Sequence, residues 1–158
     1  MEGPPIYWCP SDWFPAGDPL ADYEPLSSPV SFGSAVELVG YDLRTPAVGA
    51  GGEVELLTLW RVRTPPDLEA VTFTHLLDDG GQVVGQMDRL DVPSWHWQPG
   101  DAFVQLHRFP VDAEAAPGLY HLEVGIYTRE DLARLPVFVD GTAVDDRVLL
   151  SPVEIRGQ

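Results

Sequence analysis

The chain has 158 residues, enough for one domain that buries sufficient apolar surface to fold without disulfides or metal ions. Its formal net charge is −16, and all nine basic residues are arginines. Such a charge repels phosphate backbones and anionic lipids, which argues against a nucleic-acid-binding or membrane-surface protein. Cys9 is the single cysteine, so an intrachain disulfide is excluded.

Hydropathy gives no sign of a membrane segment. No apolar run approaches the roughly 20 residues of a membrane span, and no basic-then-apolar signal peptide follows Met1. We therefore expect either a cytoplasmic protein or one domain of a longer protein.

Residues 1–31 are predicted to form an extended N-terminal arm, because seven prolines in this stretch disfavour a helix or a central strand. No regular element is predicted there. The arm is also rich in aromatic residues, including Trp8 and Trp13, which a disordered linker rarely contains. We expect the rings to pack along the domain or to cover an edge strand. The alternative is a platform for stacking on sugars.

Residues 32–158 are predicted to form a single β-sandwich. Strand-like alternation or turn boundaries mark the segments 35–43, 53–63, 71–77, 82–87, 103–111, 116–127, 137–139 and 147–155. Residues 53–88 are predicted to be one central hairpin to which the other strands are added. Seven or eight strands without a long helix indicate an all-β, antiparallel sandwich of immunoglobulin-like or fibronectin-like type.

The alternation also predicts the buried residues. Tyr120 follows a Pro-Gly turn, as the tyrosine corner of immunoglobulin-like sandwiches does, so its hydroxyl is expected to bond to upstream backbone. Residues 128–134 are compatible with one helical turn, and Pro152 is expected to break the closing strand. The predicted core comprises Leu38, Leu56, Trp60, Phe73, Tyr120, Leu122, Val124 and Leu149.

Histidines and acidic clusters do not indicate a metal site or a catalytic centre. His75 alternates with apolar residues and is expected to be a hydrogen-bonded core histidine, the alternative being a ligand. His96, His107 and His121 lack metal-site spacing, and turn chemistry accounts for the acidic clusters. No motif for a serine nucleophile, a phosphate-binding loop or a reactive cysteine is present. We therefore expect no catalytic residue, no metal and no cofactor, although paired carboxylates brought together by the fold remain an alternative.

The aromatic loop Trp95-His96-Trp97 lies between Pro93 and Pro99 and is the main candidate for ligand binding. Exposed rings here would stack on sugar faces. Buried rings would instead close one end of the sandwich. Together with the arm tryptophans, the predicted ligand-binding residues are Trp95, His96, Trp97, Trp8 and Trp13.

Several turn and core motifs resemble those of a known family. They are Phe32-Gly33 with residues 36–43, Leu57-Thr-Leu-Trp-Arg61, residues 73–78 with Gly81, residues 97–101, and residues 117–127. In these motifs the chain resembles the β-sandwich module at the C-terminal end of multi-spanning bacterial glycosyltransferases of the mannosyltransferase-like type. The resemblance covers about four-fifths of the chain and rests on structural residues.

This resemblance implies an accessory domain whose catalytic partner is the membrane part of a longer protein. The expected function is that of a non-catalytic binding module, with a glycan or a partner protein as ligand and an extracytoplasmic location. It implies no nucleic-acid partner, and a membrane only through a covalently linked region. The alternatives are a structural spacer or protein-interaction domain, and an enzyme whose site is not visible in the sequence.

Overall fold

The computed structural model describes residues 8–9 and 24–157, with side chains described for residues 30–157. Its strands, in chain order, are β1 Trp8–Cys9, β2 Glu24–Phe32, β3 Val36–Leu43, β4 Ala47–Gly49, β5 Glu53–Val62, β6 Ala70–Leu77, β7 Val83–Arg89, β8 Ala102–Pro110, β9 Gly118–Thr128, β10 Val137–Val139, β11 Thr142–Asp145, β12 Val148–Leu149 and β13 Val153–Arg156. The structure is an all-β sandwich of two sheets. A short 3₁₀ turn, Ser94–His96, precedes β8.

The first sheet has the order β1-β8-β5-β3-β2-β10-β11, and all its neighbours are antiparallel. The second has the order β4-β13-β9-β6-β7, with β12 also paired to β9. Its strands are antiparallel except for β4 and β13, which pair in parallel at the edge. More strands are present than the seven or eight predicted, because short edge pairings are too brief to show alternation.

The predicted central hairpin is wrong in its first half. β5 pairs with β3 and β8 in the first sheet, whereas β6 pairs with β7 and β9 in the second. Residues 63–69 therefore cross between sheets. Within residues 53–88, only β6 and β7 form a hairpin, through the predicted turn in which Asp78 Oδ1 accepts hydrogen bonds from the amides of Gly80 at 2.8 Å and Gln82 at 2.9 Å.

The arm contains β1 and most of β2, although no regular element is predicted there. β2 pairs with β3, and its register shifts between Pro25 and Val30. A proline has no amide hydrogen, and such an irregularity is one of the few places where a sheet tolerates it. Trp8 and Cys9 pair with Phe103 and Ala102, so this part of the arm covers the edge of β8.

The core lies between the two sheets. The residues of β5 and β9 that alternation predicts to face inward are buried in it. The predicted core residues are buried except Leu149, which is 54% exposed. In β12, Leu149 pairs with Glu123, an outward-facing residue of β9, so its side chain also lies on the outer face. Tyr120 donates a hydrogen bond to the carbonyl of Ala116 at 2.6 Å, which confirms the tyrosine corner.

Residues 128–135 form a loop that begins with one helical turn, as predicted for 128–134, because the Leu132 amide donates to the Thr128 carbonyl at 2.7 Å. Thr128 donates its hydroxyl hydrogen to Asp131, whose carboxylate also accepts the Ala133 amide at 3.1 Å. These hydrogen bonds lower the pKa of Asp131. Leu132 has a φ of 59°, which ends any helical continuation.

β6 presents to the core the face opposite to the one expected. Thr74 hydrogen-bonds His107 of the other sheet, which places the even-numbered residues inside. Phe73 and His75 therefore lie on the outer face of the second sheet. Phe73 is still only 2% exposed because a neighbouring loop covers it, so the more apolar face of this strand is not the core face.

Candidate functional site

The turn Ser94–His96 holds Trp95 at one end of the sandwich. The His96 amide donates to the Pro93 carbonyl at 2.9 Å, and the Trp97 amide donates to the Ser94 carbonyl at 3.1 Å. The Ser94 hydroxyl accepts the Ala70 amide at 2.9 Å and is itself buried, which ties the turn to the start of β6. The turn is therefore anchored on both sides.

Trp97 is a core residue and forms the base of this turn. Its side chain is only 4% exposed, its indole N–H donates to the Val92 carbonyl at 3.0 Å, and its ring lies 5.2 Å from that of Phe103. In this position its faces are covered by protein. Trp97 supports the loop rather than presenting a ring to a ligand.

Trp95 and His96 are the parts of the predicted aromatic loop that reach solvent. Trp95 is 66% exposed, and its ring meets that of His96 edge-on at 6.0 Å. Of the arm tryptophans, Trp8 is described only through its backbone pairing with Phe103. Trp13 lies outside the described residues. The candidate platform is thus Trp95 with His96 beside it.

A second anchor holds the loop before the turn. The Gln105 side chain, fully buried in β8, accepts the Asp91 amide at 2.8 Å and donates to the Asp91 carboxylate at 3.2 Å. A buried amide satisfied in this way orders the backbone that it bonds. Hydrogen bonds to buried side chains therefore position residues 91–97, which carry the exposed Trp95 ring.

A separate concave site lies on the outer face of the second sheet, and we call it the outer cleft. Its volume is about 210 Å³. Strands β6, β7 and β9 form its floor, and the loop after β9 forms one wall. The side chains that line it are Phe73, His75, Asp88, Tyr127, Leu132 and Arg134.

The base of the outer cleft is a row of cross-strand neighbours. Phe73 lies opposite Asp88 on β7 and opposite Gly125 on β9. A side chain at Gly125 would overlap the Phe73 ring, so glycine is what lets the ring lie flat on the sheet. The Arg134 guanidinium sits 4.4 Å above that ring in a cation–π contact.

A buried carboxylate lies behind His75 in the next row. Glu123 is directly opposite His75 and is only 3% exposed. Its carboxylate accepts a hydrogen bond from His75 Nδ1 at 2.8 Å and from the Arg147 guanidinium at 2.5 Å. The hydrogen bond to Glu123 raises the pKa of Arg147. Burying a carboxylate is costly unless it is paired in this way, and here the pairing fixes the imidazole.

On the other side of the outer cleft, the Tyr127 hydroxyl donates to Asp88 at 3.1 Å. Partial burial raises the pKa of Tyr127, and the hydrogen bond to the Asp88 carboxylate raises it further. The tyrosine therefore remains a neutral donor at physiological pH. The cleft thus combines a carboxylate, a guanidinium, a phenol and an imidazole beside apolar surface.

His107 is a structural histidine. It is fully buried between the sheets, with Thr58 at 2.8 Å from Nε2 and Thr74 on Nδ1, and Trp60 donates to the same Thr58 hydroxyl at 2.7 Å. Desolvation lowers its pKa to about 3, so the ring is neutral. It has no access to a ligand.

The described part of the chain contains no group of three or more His, Cys, Asp or Glu side chains arranged to hold a metal ion. Within residues 8–9 and 24–157, no helix is both long and apolar enough to cross a bilayer. A comparison with protein-family models finds no match, and a comparison with curated proteins finds no significant similarity. Function therefore has to be argued from the geometry of the chain itself.

The outer cleft was not predicted. His75 and Glu123 are 48 positions apart, and only the register of β6 against β9 makes them neighbours. The available signal was the alternation of Tyr120, Leu122 and Val124, which already placed Glu123 on the outer face of its strand.

Proposed function

We propose that this domain is a non-catalytic binding module that holds a neutral carbohydrate against Trp95. The observation that carries the proposal is an indole that is two-thirds exposed on a turn fastened at both ends. An exposed aromatic ring on a hydrogen-bonded turn can stack on the apolar face of a sugar, and little conformational entropy of the protein is lost on binding.

The charge of the protein favours a neutral ligand. With a net charge of −16, phosphorylated or otherwise anionic ligands are repelled at long range, whereas a neutral saccharide is unaffected. His96, exposed beside Trp95, supplies a polar group for a ligand hydroxyl. With one main stacking ring we expect a Kd on the order of 0.1–1 mM.

We further propose that the module acts as the extracytoplasmic accessory domain of a larger, membrane-linked glycosyltransferase-type protein. The support is the resemblance of its turn and core motifs to such appended sandwiches. In that setting, weak binding to a glycan would keep an acceptor close to a catalytic domain through a raised effective concentration.

A glycan array followed by fluorescence titration with mannose-, glucose- and galactose-type oligosaccharides tests the proposal. We expect Trp95→Ala to abolish the ligand-dependent change, and Trp95→Phe to retain part of the affinity because a phenyl ring still stacks. Leu119→Ala removes a comparably exposed apolar side chain on β9, and it should leave the fluorescence change and the affinity for the oligosaccharide unaltered. If no oligosaccharide perturbs the fluorescence at several times the expected Kd of about 1 mM, the proposal is wrong and the spacer interpretation is favoured.

A further inference from the structure

We propose that the outer cleft is a second binding site, independent of Trp95, for a small neutral molecule that carries several hydroxyl groups, such as one sugar ring or a polyol. The inference rests on an unpaired hydrogen-bonding atom, on the mixture of charges around the cleft, and on its apolar surfaces. None of these involves the Trp95 turn.

The unpaired atom is Nε2 of His75. Nδ1 faces the Glu123 carboxylate at 2.8 Å and must donate to it, because a carboxylate only accepts. In the neutral imidazole Nε2 is then an acceptor, and it has no protein partner among the described residues. The ring is only 16% exposed and lines the cleft. An acceptor on a ring that lines a cavity and is oriented by a buried carboxylate is suited to a ligand donor.

The charged groups around the cleft select for a neutral ligand. Asp88 offers a carboxylate, and Arg134 offers a guanidinium that is 35% exposed and bonded to Asp146 at 3.3 Å. A cation in the cleft would be repelled by Arg134 and by Arg147, which lies behind His75. An anion would be repelled by Asp88 and Asp146. A hydroxyl group both donates and accepts, so a polyol satisfies the acceptors and the donor together.

The apolar surfaces suit the C–H face of a ring. Leu132, with 70% of its surface exposed, and Tyr127 both line the cleft. The φ of 59° at Leu132 is a conformation that leucine rarely adopts, and such outliers concentrate at functional sites. The volume of about 210 Å³ lies below the range of about 300–1,000 Å³ that holds drug-sized ligands, which limits the occupant to roughly one ring.

The direct test follows the imidazole resonances of His75 and the ring resonances of Tyr127 by NMR. The probes are the methyl glycosides of mannose, glucose and galactose, and sorbitol, each added up to about 20 mM, roughly 20 times a Kd of 1 mM. Sodium acetate and methylammonium chloride at the same concentrations are the charged comparisons. We expect saturable shifts with at least one neutral probe, both in the native protein and in Trp95→Ala. No saturable shift with any neutral probe, or shifts with the charged probes alone, would overturn the proposal.

Two variants separate binding from folding. Leu132→Gly removes a cleft-lining side chain at a position whose backbone favours glycine, and should weaken the neutral probe about fivefold or more without unfolding the domain. Asp140→Gly is its matched control, because Asp140 has a φ of 51° in the turn between β10 and β11 and does not line the cleft. His75→Phe, which keeps a ring but removes Nε2, should also abolish the shift of Tyr127. If Leu132→Gly bound the probe as tightly as Asp140→Gly, the ligand would not lie in the cleft and the assignment would be wrong.

Discussion

Nε2 of His107 and Oγ1 of Thr58 lie 2.8 Å apart in the centre of the sandwich, while Nδ1 of the same ring contacts Thr74 in the opposite sheet. One neutral imidazole thus joins the two sheets through hydroxyl groups. Such a group is stable inside the core only as long as it stays unprotonated, because a buried charge without a counter-ion is strongly unfavourable.

Acid should therefore destabilise the domain through His107. Its pKa is about 3 when folded and about 6.5 when unfolded, so between these values the unfolded chain binds a proton that the folded chain does not. The free energy of unfolding should fall by about 1.4 kcal/mol for each pH unit below 6.5 from this group alone. Urea unfolding at pH 7.0, 6.0, 5.0 and 4.5 should show this component in the native protein and not in His107→Gln. His121→Ala, which changes an exposed histidine, should retain it; equal slopes in the native protein and His107→Gln would contradict the assignment.

Truncation of Trp60 should destabilise the domain far more than truncation of Trp95. Trp60 is fully buried, packs 5.2 Å from Phe32 and donates to Thr58, so Trp60→Ala should cost about 3–5 kcal/mol. Trp95→Ala should change stability by less than about 0.5 kcal/mol, since its ring is largely in solvent. Guanidinium unfolding of both variants measures this. A large loss in Trp95→Ala would show that its ring is structural.

Gly125→Ala should destabilise the second sheet by about 1–3 kcal/mol, because the added methyl group overlaps the Phe73 ring. Gly49→Ala is the matched control, since nothing lies within 4 Å of a Cβ at that position. Thermal unfolding should rank the native protein and Gly49→Ala above Gly125→Ala. Adding Phe73→Leu to Gly125→Ala should recover part of the loss, and strictly additive effects would argue against the contact.

Tyr120→Phe should cost about 0.5–1.5 kcal/mol, because it removes the 2.6 Å hydrogen bond from the buried Tyr120 to the Ala116 carbonyl. Tyr127→Phe removes a hydroxyl whose bond to Asp88 is exposed, and should have a smaller effect. Urea unfolding of the pair gives the difference. Equal losses would mean that the tyrosine corner contributes no more than a surface hydrogen bond.

Local sequence patterns predicted the fold class, the inward faces of β5 and β9, and the turns that need particular residues. Tyr120 and Asp78 are examples, because their hydrogen bonds reach only a few positions along the chain. Local patterns did not predict which face of β6 points into the core. Its inner Thr74 is polar because it meets His107, and its outer Phe73 is apolar because Arg134 covers it, so both depend on residues far away in sequence.

The sequence predicts the aromatic loop as a candidate site but does not predict the outer cleft. Exposure of Trp95 and burial of Trp97 could not be separated from sequence, because both occur in a loop without alternation. The hydrogen bond from Trp97 to Val92 and its packing against Phe103 distinguish the buried ring. The outer cleft depends on the register that sets His75 opposite Glu123. A change of one residue in that register would send these side chains to opposite faces.

Strand β13 lies between β4 and β9, pairing Glu154 with Ala47 and Val153 with Tyr120. A nascent chain leaves the ribosome with its N-terminus first, so β13 is the last of the described strands to emerge. Until Arg156 has left the ribosome, the edge of β9 at Tyr120 stays open and β4 has no partner in this sheet. The nascent domain therefore carries an unpaired strand edge until β13 emerges, and such an edge can pair with another chain.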